Sequence, residues 1–599
     1  MAKNNQLKIF SEVNNMLSTY TNGYITLVDG LSFSPYQTIK KIEFYTNSQY
    51  ISGNKDELGR DKPFYNIVNY RVNVATRATD LDVKDIRITS DNPRFANLAY
   101  LFNEEVYQWM KESDFSLFLN KFGKTRVKYG GVLIKKCIEQ EPGEEKELQL
   151  EVVQWKNVIV DPINIAGGTI VELHYLTPSE LAEKKDVWEN VDEAMKLATK
   201  LRKNTQGGLS QTISERIPVL EVHGEFPETY DPEIGEEGDP LTFKRMMFII
   251  AGLDKQVLMY KEEEKENPYK YLSWEEVAGR GLGRGVVEEG FEAQRWTNDA
   301  VIGENSAMSL AGKVIVVTDS EKMGTNAITD LENGSVVKLE DGKTARSLQL
   351  LPSSLPEFQN QVDKWNTQLE RATNTFDAVT GETLPSGTPL GSVAIQSQQA
   401  SSYFDYKREE AGIFLTEVFN EWVLPFLAKR MNKPHILASE FDADILRKID
   451  EDFSLYNANQ EIKKLILDGK VVSPDEYFQL QDYFKQQLGK STKRFLDIPK
   501  DYFKDFEPKI TVNITGELEN KDAQIKSLSF LLQVVQDPAE RAKIITRLAE
   551  LSGAISSMEL NLNAPPQQQG DMTSNVKNVT PQMGAAAQTA QAVVPQAQQ

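Results

Sequence analysis

The first candidate for chemistry is the glycine-rich segment AGRGLGRGVVEEGFEAQRWTN, residues 278–298, which precedes a predicted helix. A dinucleotide-binding loop has glycines at relative positions one, three and six, because backbone N–H groups must approach a pyrophosphate at a helix N-terminus. Counted from Gly279 the sixth residue is Arg284, and counted from Gly281 it is Val286. No Gly-Lys-Ser or Gly-Lys-Thr directly follows these glycines. The segment therefore matches neither phosphate-binding pattern, and its glycines need another role.

Residues for catalysis or metal binding are scarce elsewhere in the chain. His174, His223 and His435 are far apart in sequence and form no His-x-His or His-x-x-x-His pair, so we predict no metal site and no cofactor. Cys137 lies in the strand pattern VLIKKCI and is predicted to be a core residue and not a nucleophile. Carboxylates are too abundant for one acid/base pair to stand out. We predict no enzymatic activity, with an acidic enzyme of unrecognised site as an alternative.

Composition limits the class of protein. The chain has 599 residues, of which 40% are hydrophobic, enough for several domains with a buried core. Its net charge of −21 argues against a protein that grips DNA by neutralising phosphates, although not against one that surrounds DNA. A single cysteine excludes an internal disulfide and fits a reducing compartment. The longest apolar run has about eight residues against the ~20 of a bilayer span, so no membrane association is expected.

The elements around the glycine segment follow from hydrophobic periodicity and capping patterns. Residues 60–170 mix helix and strand patterns, which predicts an α+β body. Thr177, Pro178 and Glu180 form a capping box that opens a predicted helix from 178 to 203. A strand-rich insert follows and ends near residue 270. It includes an acidic loop, with eight carboxylates and no Lys or Arg between residues 221 and 239.

The chain then re-enters a helix through the glycine segment. Ser273 and Glu276 match a second capping box, and the sequence after the glycines predicts a helix that ends near residue 311. Two long helices would thus flank one inserted β domain.

The second half of the chain has a recognisable break between helices. Phe358, Trp365 and Leu369 belong to an amphipathic pattern that predicts a helix before residue 377. The segment DAVTGETLPSGTPLGS, residues 377–392, has three glycines and two prolines, which forbid a regular element. A helix of about forty residues should begin at Val393 and bend or end at Pro425. Beyond about residue 440 the chain is mostly helical, with a Ser-Pro-Asp-Glu cap at Ser473 and a strand-like KITVNITGE.

The order of these elements resembles the portal protein of tailed bacteriophages, the head–tail connector. The resemblance rests on KYGGVLIKK (128–136), QWKNVIVDPINI (154–165), GLGRGVVEEGFEAQRWTN (281–298) and TFDAVTGETLPSGTPLGSVAIQSQQASSYFDYKREE (375–410). Together these segments span about residues 60 to 433. None is an invariant catalytic signature, so the specificity lies in their order.

The resemblance implies a dodecameric ring at the capsid vertex of the virion, assembled in the host cytoplasm, through which double-stranded DNA is packaged and ejected. The expected partners are terminase, the major capsid and scaffolding proteins, and the head–tail adaptor. Terminase would be the motor, which agrees with the missing Walker loop. The implied regions are an α+β wing (1–176 and 312–438), two stem helices (177–212 and 273–311), a β-rich clip (213–272) and a helical crown (439–562). By its composition, 563–599 is a flexible Gln/Ala-rich tail.

Two sets of residues become candidate functional sites under this resemblance. The break at 377–392 matches the tunnel loop that projects into the channel, and the absence of Lys and Arg there means that DNA contact would be polar or water-mediated. A plain surface turn is the alternative. The channel candidates are Thr380, Gly381, Glu382, Thr383, Ser386, Gly387, Thr388 and Gly391.

The second set is a pliable joint between clip and stem, where glycine allows positive φ and close chain approach. The joint consists of Gly279, Arg280, Gly281, Gly283, Arg284 and Gly285, and its two arginines would pair with acidic residues of a neighbouring subunit or remain a solvated pair. Besides the enzyme, another virion structural protein, such as an adaptor, is an alternative to the portal.

Overall fold

A computed structural model of the chain divides into two compact units, Met1–Thr515 and Gly516–Gln599. In the second unit only five positions are described, Leu528, Leu532, Arg541, Ile544 and Leu548, and all five are helical. In the first unit the structure describes residues 8–56, 59, 61–83, 86–89, 96–139, 147–204, 216–234, 238–311, 315–319, 341–348, 355–376, 390–431, 435–440, 443–470, 472–487, 493–498, 503 and 509–512.

The first unit mixes helices with several antiparallel sheets, so the predicted α+β class is confirmed. Its helices are α1 Lys8–Asn22, α2 Pro35–Thr46, α3 Val68–Ala78, α4 Ala96–Glu112, α5 Phe115–Tyr129, α6 Pro178–Glu183, α7 Val191–Asn204, α8 Val286–Glu289, α9 Phe291–Ala311, α10 Leu355–Thr373, α11 Leu390–Val418, α12 Leu424–Met431, α13 Ala443–Leu467 and α14 Pro474–Gln487. Its strands are β1 Ile25–Val28, β2 Leu31–Phe33, β3 Ile86–Thr89, β4 Gly131–Glu139, β5 Glu147–Val152, β6 Val158–Ile159, β7 Ile170–Leu176, β8 Ile217–Pro227, β9 Phe243–Ala251, β10 Val257–Glu263, β11 Tyr269–Ser273, β12 Ile315–Thr318, β13 Ala345–Leu348, β14 His435–Glu440, β15 Lys493–Ile498 and β16 Lys509–Val512.

Two sheets organise the region around the glycine segment. A five-stranded sheet has the order β10-β9-β8-β7-β6, and a three-stranded sheet has the order β11-β4-β5. The strands predicted for the insert are confirmed, but β8 pairs with β7 and β11 pairs with β4, so the insert shares both sheets with the preceding body. Sequence patterns identify a strand and its buried face, but they do not identify the partner strand.

The single helix predicted from 178 to 203 is wrong. The capping box of Thr177 and Glu180 is present, but α6 ends at Glu183 and α7 begins only at Val191. The break occurs because Glu189 N donates to Met259 O of β10 at 2.7 Å, and Asn190 adopts a left-handed φ of 54°. Both short helices can therefore lie on the five-stranded sheet, where Leu181 of α6 and Ala194 of α7 are fully buried.

The second predicted capping box, Ser273 with Glu276, is also wrong. Ser273 ends β11 opposite Gly131, and Trp274 N donates to Gly130 O at 2.8 Å, so the chain stays extended there. The helix after the glycines begins at Val286 and ends at Ala311, with an interruption at Gly290.

The long helix after the break is confirmed with two differences. It begins at Leu390, so Gly391 lies within a helix and not in the predicted break. Ahead of Pro425 it passes through a π-helical turn, Phe419–Val423, before α12. The stretch Ser402–Met431 has the length and mean hydropathy of a membrane-crossing helix, but its Phe414, Val418 and Trp422 are buried in the main hydrophobic core.

The main core joins segments that are distant in sequence. It contains side chains of α4, α5, β4, α11 and α12, and also Ile449 and Phe453 of α13 and Phe503. In addition β16 pairs with β3. Part of the segment predicted to be a crown therefore packs with the segment predicted to be the wing, because its apolar side chains complete the same core.

Candidate functional site

The glycine segment forms a junction with the turn between α5 and β4. We call residues 279–285, together with Gly130 and Gly131, the glycine junction. Helix α5 ends at Tyr129 and is capped by Gly130, whose φ of 85° is the left-handed conformation that favours glycine at a helix C-terminus. Residues 279–285 of the junction lie between the end of β11 and the start of α8 in the chain.

The junction glycines lie where a side chain would meet backbone. A Cβ at Gly283 would lie 2.3 Å from Gly130 O, and one at Gly285 would lie 2.4 Å from Gly130 N. A Cβ at Gly281 would lie 2.9 Å from Ile163 O, whereas Gly279 contributes a positive φ of 85°. Gly281, Gly283 and Gly285 are therefore needed because backbone atoms lie where a Cβ would be. Gly279 is needed because of its positive φ.

Hydrogen bonds hold the junction on both sides. Gly281 N donates to Pro162 O at 2.8 Å, and Gly283 N donates to the hydroxyl of Tyr271 at 2.9 Å. Arg284 N donates to Glu275 O at 2.8 Å. Pliability at this junction stays a prediction, and these bonds oppose it.

The two junction arginines have different environments. The guanidinium of Arg280 donates to both carboxylate oxygens of Glu288, at 2.8 and 2.9 Å, and lies 4.4 Å from the centre of the Phe33 ring. Its side chain is 5% exposed and pairs within the chain. Pairing of Arg280 with a neighbouring subunit stays a prediction, and the burial of its side chain opposes it. Arg284 is 47% exposed, and its Nη1 lies 4.0 Å from Glu289. Of the two arginines, Arg284 is the more accessible to a partner, and its pairing with a neighbouring subunit stays a prediction.

A carboxyl group with a displaced pKa lies beside the junction. Burial raises the pKa of Glu289 to about 7, and the negative charge of Glu275 adds to the shift while Arg284 opposes it. Glu275 also accepts a hydrogen bond from the Tyr403 hydroxyl at 2.7 Å. The carboxyl group of Glu289, at the start of the return helix, is therefore partly protonated near neutral pH.

The buried side chain of Arg126 connects the end of β11, just before the junction, to α11. It is 2% exposed and donates to Ser273 O at 3.1 Å, to Lys407 O at 2.6 Å and to the Glu410 carboxylate at 2.7 Å. The Lys407 ammonium in turn donates to Trp274 O. Burial lowers the pKa of Arg126 to about 10, which leaves the guanidinium charged at neutral pH.

A second site lies between the two sheets. We call it the Glu-His network, and it consists of Lys135, Glu172, His174, Glu221, His223 and Glu264. Glu172 and His174 are two residues apart on β7, and Glu221 and His223 are two residues apart on β8, with Glu172 paired directly opposite Glu221. Alternation along a strand places all four side chains on one face of the sheet.

Glu221 is the centre of this network. Its carboxylate is 2.6 Å from Lys135 Nζ, 3.0 Å from His174 Nε2 and 3.0 Å from His223 Nε2. Lys135 Nζ, which comes from β4 of the other sheet, also lies 2.9 Å from Glu172. Burial would raise the pKa of Glu221, but hydrogen bonds from His174 and His223 and the charge of Lys135 hold it well below its ordinary value.

Three residues of the network have the composition of a metal site. The ligand atoms of Glu172, His174 and Glu221 lie within 4.8 Å of one another. The Lys135 ammonium contacts both carboxylates, however, so a divalent ion would have to displace it. In this structure lysine provides the positive charge that the carboxylates require.

Sequence reasoning missed this network because it treated the histidines as unrelated. His174 and His223 are 49 positions apart in the chain, yet both bond one carboxylate. The signal was the repeated Glu-x-His triplet, at 172–174 and 221–223, within two strand patterns.

Cys137, predicted to be a core residue, is half-buried, and burial together with nearby Glu151 raises the pKa of its thiol to about 12.

A cavity of about 360 Å³ lies beside α1 and the β1–β2 hairpin, lined mainly by apolar and aromatic residues such as Met16, Tyr24 and Phe33. The Tyr20 hydroxyl is buried there without a hydrogen-bond partner among the described residues.

The predicted tunnel loop is the other candidate site from the sequence. Thr380, Gly381, Glu382, Thr383, Ser386, Gly387 and Thr388 lie outside the described residues.

Comparison with known proteins identifies no family. No protein-family model matches the chain, and no curated protein matches it.

Proposed function

We propose that the chain is a portal subunit, which assembles into a ring at the capsid vertex and lets double-stranded DNA pass without holding it. Terminase, capsid and scaffolding proteins and a head–tail adaptor would dock on the ring. The chain itself would perform no catalysis and need no cofactor.

The observation that carries the proposal is the meeting of the four segments on which the resemblance rests. Gly130 of the first segment contacts Gly283 and Gly285 of the third. In the second segment, Trp155 Nε1 donates to Gly131 O at 2.9 Å, and Pro162 O accepts from Gly281 N.

The fourth segment joins the same place through α11. Phe404 is buried in the same hydrophobic cluster as Val286, Val287 and Ala293 of the third segment. Four segments that are spread over residues 128 to 410 thus pack together. This supports treating their order in the sequence as the mark of one architecture and not as four chance similarities.

Charge supports a conduit over a DNA-gripping protein. Twelve chains of −21 would carry twelve times that charge, formally −252. Duplex DNA carries one negative charge per ~1.7 Å of axis, so an acidic wall forms few strong phosphate contacts. A motor then has little attraction to overcome at each step of translocation.

Size measurement tests the proposal directly. Twelve chains of 67.7 kDa would give a particle of roughly 810 kDa, measured by light scattering after gel filtration, with a central hole in negative-stain images. The measurement is repeated at low and high salt. High salt screens the repulsion between acidic subunits and therefore favours assembly of the ring. A monomer under both conditions contradicts the portal. A large particle without a hole favours another virion structural protein.

A further inference from the structure

We propose that His223 is held as an imidazolium that locks the five-stranded sheet to the three-stranded sheet, and that alkaline deprotonation loosens the lock. The inference does not depend on the proposed function.

Both ring nitrogens of His223 face carboxylates. Nδ1 lies 2.9 Å from Glu264 Oε1, and Nε2 lies 3.0 Å from Glu221 Oε1. A neutral imidazole has one N–H, so it can donate to only one of two acceptors, whereas an imidazolium donates to both. At 3% exposure, water cannot replace the lost donor. With both carboxyl groups ionised, this geometry is satisfied only by the charged ring.

The same groups join the two sheets. Glu172 and Glu221 of the five-stranded sheet receive Lys135 from β4, and the Tyr269 hydroxyl of β11 donates to Glu172 at 2.5 Å. The Tyr269 ring also packs edge-on against the imidazole, with centroids 5.1 Å apart. Glu264 belongs to the connection between β10 and β11, so it links one sheet to the other along the chain.

Charge balance depends on the histidines. With both imidazoles protonated, the network has three cations and three carboxylates, whereas loss of both protons leaves an excess of two negative charges in a partly buried site. Glu221 on its own strand, Glu264 after β10 and the Tyr269 ring on β11 contact His223 directly. Lys135 on β4 and His174 on β7 reach the same Glu221 carboxylate, Lys135 also pairs with Glu172 on β7, and Arg245 on β9 pairs with Glu225. Arg245 faces Glu225, which is 64% exposed, and so does not supply the missing charge.

The direction of the pH effect follows from the pKa of each histidine. Burial would lower the pKa of His223, but hydrogen bonds to Glu221 and Glu264 raise it above the ordinary 6.5. The hydrogen bond to Glu221 raises the pKa of His174 as well. A raised pKa means that the stabilisation is complete below about 6.5 and is lost as pH rises through the folded-state pKa. The lock therefore loosens on the alkaline side.

The first test titrates the histidines of the full chain. Exchange of the imidazole C2 proton, followed by mass spectrometry in EDTA-containing buffer, gives a midpoint for each of the three histidines. We expect the midpoint of His223 to lie above the ordinary value of 6.5, since two charge-assisted bonds oppose one desolvation penalty. A midpoint at or below 6.5 overturns the proposal, and this result needs no variant to fold.

The second test measures opening of the sheets. Amide exchange of peptides covering β4, β7 and β8 is compared at pH 6 and pH 9 after correction for intrinsic rates. Weaker protection is expected at pH 9, because the stabilisation that the charged ring supplies is lost as pH rises through its folded-state pKa. Equal protection at the two pH values overturns the loosening.

Two glutamine variants test whether His223 causes the pH dependence of the amide exchange. His223→Gln keeps one donor but no charge, and it should remove most of the pH dependence. His174→Gln is the matched control, because His174 bonds the same Glu221 carboxylate from a position that is 41% exposed; it should keep most of the pH dependence. Equal pH dependence in His223→Gln and the unmodified chain overturns the lock.

Discussion

Replacing Gly285 by alanine tests whether close packing fixes the glycine junction. Gly285 has φ −106° and ψ 170°, which any residue adopts, so alanine adds no backbone strain of its own. Its Cβ would lie 2.4 Å from Gly130 N and 2.8 Å from Val127 O. Both contacts are shorter than real Cβ atoms make, and backbone atoms cannot rotate away as a side chain can. One of the two segments must therefore move.

The size of the effect follows from the rigidity of those neighbours. Overpacking a well-packed site costs about 1–3 kcal/mol, and fixed backbone neighbours place this site at the upper end, near ~3 kcal/mol. Every 1.4 kcal/mol is a factor of ten, so the junction should open roughly 100-fold more often.

Amide exchange followed by mass spectrometry measures this opening in peptides covering 126–134 and 281–290, and urea unfolding measures the global effect. Gly123→Ala is the matched control, because Gly123 lies within α5 without a positive φ, and no atom outside its own helical turn lies within 4 Å of the position that its Cβ would take. That variant should gain about 0.5–1 kcal/mol from helix propensity. If Gly285→Ala exchanges like the unmodified chain, close packing does not fix the junction.

Three further predictions concern buried charge, the tail and the tunnel loop. Arg126→Met should lower the free energy of unfolding by about 3–5 kcal/mol in urea titration, because the partly buried Glu410 carboxylate and two backbone carbonyls lose their donor; an unchanged midpoint would contradict the role of Arg126. A chain lacking 563–599 should assemble to the same mass by light scattering, since a Gln/Ala-rich tail supplies no core, and loss of assembly would show that the tail docks. Thr380→Lys with Thr388→Lys should still assemble but slow DNA packaging, with the defect eased by salt, because each phosphate contact steepens the salt dependence by about 0.9. Unchanged packaging and DNA affinity would place the loop away from DNA.

Much of the local structure could be predicted from the sequence. The capping boxes at Thr177 and Ser473 begin helices with both reciprocal hydrogen bonds, because the partners are three residues apart. The amphipathic pattern that includes Trp365 predicts α10 for the same reason, since its periodicity is local. The sequence also showed that the junction is rich in glycine. It did not show which backbone segment those glycines approach.

Long-range pairing decided the rest. Ser273 and Glu276 satisfy a helix-capping pattern, but pairing of Ser273 with Gly131 extends β11 and overrides it. The predicted helix from 178 breaks where Glu189 bonds β10. The Glu-His network arises only when β7, β8 and β4 come together, because periodicity specifies which face of a strand is buried and carries no information about the strand opposite. The sequence by itself determined the helices and strands whose periodicity and caps are local, and tertiary pairing determined where two of them break or extend and which charges meet.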